Sequence, residues 1–134
     1  MNFALINWPA VLVAGLSSFA VGGLWYAKGV FGNAWMADSK LTEEQIKSGS
    51  MAKTFGFTAF FSLLMAINLA MFLADAKTTA AWGAEAGFLA GIWTFCAIAI
   101  HSLFEQRSWR HIFINGGYSV VSLTLMGAII GLWR

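Results

Sequence analysis

The sequence predicts an all-α integral membrane bundle of four transmembrane helices, with a short interfacial helix in the first loop. Three observations lead there. Charged residues make up 10% of the 134-residue chain and hydrophobic residues 59%, whereas ordinary soluble proteins are about 25% charged. A soluble domain of this length has too little interior to hide that much apolar surface. Four stretches carry no charged side chain: Met1–Ala27, Thr54–Ala74, Ala86–Phe104 and Ile112–Trp133. About 20 apolar residues cross the hydrocarbon core as a helix, and a helix satisfies its own backbone where lipid offers no hydrogen-bond partners. The alternating segments of about 10 residues that mark a transmembrane barrel are not seen.

The first span is expected over residues 9–27, with Pro9 in the first turn, where its missing N–H costs nothing. No basic leader precedes the apolar run, so it reads as a membrane helix rather than a secretory signal. The other spans are expected over 54–74, 86–104 and 112–133, within one domain covering 1–134. In the first loop, Thr42-Glu43-Glu44-Gln45 matches a capping box, which predicts a short helix from Glu43 to Ser48 with Gly49 as its stop. The connection Glu105–His111 is short enough to force the third and fourth spans to be antiparallel neighbours.

The first and third loops share one side of the membrane. They hold Lys28, Lys40, Lys47, Lys53, Arg107 and Arg110, whereas the other side has only Lys77 and Arg134. This bias places those two loops in the cytoplasm and both termini outside, in an arrangement suited to a bacterial inner (cytoplasmic) membrane. Trp25, Tyr26, Trp35, Trp82, Trp109 and Trp133 all fall near span ends, where amphipathic rings anchor at headgroup depth.

Small residues recur every fourth position: Ala14, Ser18 and Gly22 in the first span, Gly87 and Gly91 in the third, Gly127 and Gly131 in the fourth. Such stripes let backbones approach closely, within one chain or across an oligomer seam. Polar residues form two further stripes. Thr94, His101 and Glu105 share one face of the third span, and His111, Asn115, Tyr118 and Ser122 share one face of the fourth. Across the tight turn these stripes are expected to face each other. Ionisable groups at membrane depth are candidates for function. The candidate ligand site is therefore His101, Glu105, Arg107, Arg110, His111, Asn115 and Tyr118, with His101 and Glu105 spaced to form a charge-assisted pair. Asn68 and Ser122 are read as interhelical glue.

The scattered net charge of +2 gives no footprint for nucleic acid. The single Cys96 excludes an intramolecular disulfide and has no base beside it in sequence to make it a nucleophile. His101, Glu105 and His111 are acceptable zinc ligands by type, but no paired motif supports a site, so no metal and no cofactor is assigned. No catalytic residue is assigned either. The expected function is a non-enzymatic structural, accessory or lipid-binding component of a membrane assembly, with membrane lipids and copies of itself as partners. The alternative is an oligomeric transporter or channel with a polar site between the third and fourth spans, and an enzyme built on His101, Glu105 and His111 stands third.

Two blocks of sequence carry a family resemblance. Leu24-Trp25-Tyr26, Phe31-Gly32, Trp35-Met36 and Leu41-Thr42-Glu43-Glu44 form the first. Leu103-Phe104-Glu105-Gln106-Arg107-Ser108-Trp109, Ile114-Asn115-Gly116-Gly117-Tyr118 and Met126-Gly127-Ala128-Ile129-Ile130-Gly131 form the second. Taken in order, they resemble a family of small membrane proteins catalogued as domain of unknown function 1761. The resemblance covers nearly the whole chain and implies a four-helix membrane protein of bacteria and fungi, with no established activity.

Overall fold

A computed structural model describes residues Met1–Arg134. Four long helices dominate: α1 (Trp8–Trp25), α4 (Met51–Phe72), α5 (Ala80–Phe104) and α6 (Trp109–Leu132), each long and apolar enough to cross a bilayer. Between α1 and α4 lie a π-helical turn over Lys28–Gly32, α2 (Asn33–Ser39) and α3 (Glu43–Ser48). A single 3-10 turn, Phe3–Leu5, precedes α1.

Helix starts follow local chemistry. Asn7, Ser50, Thr79 and Ser108 each accept a hydrogen bond from a first-turn N–H of α1, α4, α5 and α6, satisfying donors that a helix leaves unpaired. The last three caps lie outside the uncharged runs, so α4 begins before Lys53, α5 before Glu85, and α6 before Arg110. Charge marks the edge of the hydrocarbon and the cap marks the edge of the helix. Both halves of the Thr42–Gln45 capping box are present at α3. Two helices end through left-handed non-glycine residues, α2 at Lys40 (φ 56°) and α5 just before Gln106 (φ 58°). Gln106→Gly is expected to raise stability by about 1 kcal/mol, because glycine takes that conformation without a Cβ clash. Thermal unfolding in detergent, monitored by monodispersity, measures the gain.

The helices pack in the order α5, α6, α1, α4. The α5–α6 contact is by far the most extensive, and glycine explains it. A Cβ on Gly83 or Gly87 would run into the backbone carbonyl of Gly127 or Leu123, and one on Gly127 would run into that of Gly83. Gly91 faces the Val120 backbone in the same way. The stripes on the third and fourth spans thus serve packing within one chain, and Gly83 extends them by a turn. On the other side of α6, Ala14, Ala66, Leu73 and Met126 are buried where α1, α4 and α6 meet. The hydroxyls of Ser18 and Ser62, both buried, hydrogen-bond to each other at 3.1 Å between α1 and α4.

Around the four long helices the exposed surface is largely apolar. Phe57, Phe60, Phe61, Trp93 and Phe104 point outward, a display that water would penalise and a bilayer solvates. α4 and α5, at the two ends of the row, touch only sparsely, as where the Phe72 and Trp82 rings lie 6.2 Å apart. A cleft remains between them.

Candidate functional site

Polar side chains converge where α1 ends and α6 begins. The Tyr26 hydroxyl donates to Asn115 Oδ1 at 2.7 Å, and the Asn115 amide lies 3.2 Å from His111 Nε2. With its carbonyl accepting from Tyr26, Asn115 is the donor to His111, which leaves the imidazole hydrogen on Nδ1. That Nδ1 is buried and has no partner. Tyr118 donates to the Ser18 carbonyl at 3.0 Å, and the Trp25 indole donates to the Ile114 carbonyl at 2.8 Å. Tyr26 packs edge-on against both Tyr118 and Trp35, at centroid distances of 5.4 and 5.7 Å. His111, Asn115 and Tyr118 share a face because they lie one turn apart.

Just outside this cluster, α2 is tied to the start of α6. Arg110 donates from Nε and a terminal nitrogen to the two Asp38 carboxylate oxygens, at 2.8 and 2.7 Å, and Arg107 donates to the Asp38 carbonyl at 3.3 Å. The Arg110 hydrogen bonds hold the Asp38 carboxyl below the ordinary carboxylate range against an opposing push from burial, and Ser108 and His111 add to the lowering. A lowered folded value means that the clamp is complete above the usual carboxylate range and is lost only as pH falls through that lowered value. Neutral-pH changes leave it intact.

The two polar stripes do not face each other. His101 and Glu105 are exposed on the outside of α5, with Glu105 reaching only toward Arg107 at 4.0 Å. The glycine edge of α5 claims the α6-facing side, and Ser102, three turns on from Gly91, continues it. The expected His101–Glu105 pair is not formed, and α6 turns its own polar face toward α1. Thr94 hydrogen-bonds its own helix through Ala90 O at 3.0 Å. Neither proposed glue residue joins two helices by a hydrogen bond. Asn68 donates to Leu64 O of its own helix at 2.9 Å, and the buried Ser122 hydroxyl has no partner. No three His, Cys, Asp or Glu side chains gather in a metal-holding cluster. Cys96 lies on the exposed face of α5.

Sequence reasoning missed Asp38, and it treated Trp25 and Tyr26 as interfacial anchors. A signal for Asp38 was present, since the first and third loops share a side and Asp38 in the first is opposite in charge to Arg107 and Arg110 in the third. Gly117, which leaves room for the Trp25 ring on α6, had no comparable signal.

The second feature is the cleft between α4 and α5, about 560 Å³ in volume. Met65, Phe72, Trp82, Leu89 and Trp93 line it with little polar surface, and Asn68 and Thr94 are its only polar side chains. Both of those have hydrogen bonds to carbonyls of their own helices, so the lining is chemically close to hydrocarbon.

A family model described as protein of unknown function, DUF1761, matches residues 9–131. No curated protein and no solved structure matches the chain.

Proposed function

The chain belongs to the DUF1761 family, and we propose that it works as a non-enzymatic, lipid-binding component of the membrane. The observation that carries this reading is the α4–α5 cleft, which falls within the usual range for ligand sites of about 300–1,000 Å³. Its occupant is a lipid acyl chain. The cleft lies at the depth of the hydrocarbon, is open on one side, and presents little polar surface, because Asn68 and Thr94 each bond a carbonyl of their own helix. Bulk lipid is as apolar as the lining, so selection comes from fit and dispersion rather than from expulsion of water.

The polar residues support the same reading by their use. Tyr26, Asn115, Tyr118 and Arg110 join α1, α2 and α6 into a fixed scaffold. Such a scaffold presents the cleft to neighbours in a larger membrane assembly. The bias of Lys and Arg toward the first and third loops favours an orientation with the α2–α3 end in the cytoplasm and the termini outside.

Native mass spectrometry of the full chain from mild detergent tests the reading. Wild type is expected to retain phospholipid, and Leu89→Trp, which fills the cleft from an exposed position, is expected to lose most of it while staying folded. Equal retention by both proteins excludes the cleft as the binding site.

A further inference from the structure

We propose that residues 26–50 build a second site, at the opposite end of α1 from the chain termini, that binds the headgroup of an anionic phospholipid. It extends the reading above from hydrocarbon to headgroup and rests on separate residues. After α1 the chain turns through Lys28–Gly32, runs through α2 and comes back in α3. These elements enclose a cavity of about 310 Å³. Its inner walls are Tyr26, Trp35, Met36 and Ile46, and its rim carries Lys28, Glu43 and Lys47.

Three features select the ligand. The first is depth. The cavity begins where a membrane-spanning helix ends, at the level of the α4 start and the α5–α6 turn, which is the headgroup zone. The second is the wall. Tyr26 has its hydroxyl committed to Asn115, so it offers the cavity a ring, and Trp35 packs against that ring edge-on. These surfaces suit the glycerol and the first acyl carbons of a lipid better than a free, fully hydrated anion. The third is charge. Glu43 pairs with Lys28, whereas the Lys47 ammonium has no carboxylate partner, so the rim is net positive. A phosphate with no cation of its own complements that rim. A zwitterionic headgroup brings a second positive charge to it and is disfavoured.

The cavity is also able to admit a ligand. α3 makes no substantial packing contact with the long helices. Its tie to the π-turn is the Lys28–Glu43 pair, which is open to solvent on both sides and is therefore weak. Each lysine facing an anionic lipid is worth about five-fold in affinity.

The experiment uses the full chain in neutral detergent, titrated with phosphatidylglycerol or with phosphatidylcholine of the same acyl chains, and read by native mass spectrometry. Phosphatidylglycerol is expected to bind in preference, with Lys47→Gln lowering its affinity about five-fold and leaving phosphatidylcholine unchanged. Trp35→Ala is expected to weaken both lipids, and Leu89→Trp to leave the phosphatidylglycerol preference intact. Equal binding of the two lipids overturns the site, as does an unaltered affinity in Lys47→Gln. Inorganic phosphate competing as well as the lipid overturns the lipid as the occupant. A preference abolished by Leu89→Trp but not by Lys47→Gln assigns the lipid to the α4–α5 cleft, which overturns this site and leaves the cleft reading standing. Lys47 is solvent-exposed, and an unchanged elution profile certifies that its variant is folded.

Discussion

Leucine in place of Gly87 is expected to destabilise the bundle by on the order of 3 kcal/mol or more, enough to leave little folded protein after extraction. Gly87 faces the Leu123 carbonyl so closely that even a methyl group would meet backbone. Backbone cannot rotate aside as a side chain can, so the new bulk must pry α5 from α6. In a bilayer that separation gains nothing from solvent, since helix association there depends on close packing rather than on escape from water. Gly127 is the reciprocal position on α6, where the added Cβ would run into Gly83, and it should behave alike. Gly56 is the contrast. Nothing lies near its added Cβ, so Gly56→Ala should be neutral or gain about 0.5–1 kcal/mol from helix propensity. Thermal unfolding in detergent, followed by size-exclusion chromatography, separates these outcomes. A Gly87→Leu protein that melts like wild type would mean that α5 and α6 are not in backbone contact.

The second large effect is expected at Asn115. Replacing it with leucine removes the acceptor for Tyr26 and the donor to His111 together. Each partly or fully buried group left without a partner costs about 1–3 kcal/mol, so the variant should lose about 2–4 kcal/mol. Asn115→Asp is a sharper probe, because it keeps the acceptor for Tyr26 and can bond His111 only if the imidazole moves its hydrogen to Nε2. It should fall between leucine and wild type. Ser122→Ala tests the same physics with opposite sign. That hydroxyl is buried with no partner, so its removal should be neutral or stabilising. Urea or thermal unfolding of the three variants checks the order. Equal stability of Asn115→Leu and wild type would show that the Tyr26–Asn115–His111 chain contributes nothing.

The architecture was legible because its cause is local. Uncharged runs of spanning length report the hydrocarbon directly, and the Thr42–Gln45 box reports a helix start from four residues. Helix ends were less legible. Ser50, Thr79 and Ser108 start their helices ahead of Lys53, Glu85 and Arg110, the charged residues that bound the uncharged runs. The polar site was half legible, and the reason is rotational. Helical spacing places Asn115 and Tyr118 on one face of α6, and His101 and Glu105 on one face of α5, but spacing does not say which face meets which neighbour. The glycines decide that. Gly83, Gly87 and Gly91 bring α5 onto α6 along one edge, which turns His101 outward and leaves the polar face of α6 to α1. The cleft was not legible at all. Met65, Leu89 and Trp93 are ordinary lipid-facing residues in sequence, and only the order α5, α6, α1, α4 leaves them opposite one another.

The cleft can be tested at a single position. A photoreactive side chain placed at Leu89 and irradiated after purification in detergent should give an adduct with the mass of a phospholipid, while the same group at Phe57, an equally exposed residue outside the cleft, should give only detergent adducts. Identical detergent-only products at both positions would contradict a lipid held between α4 and α5.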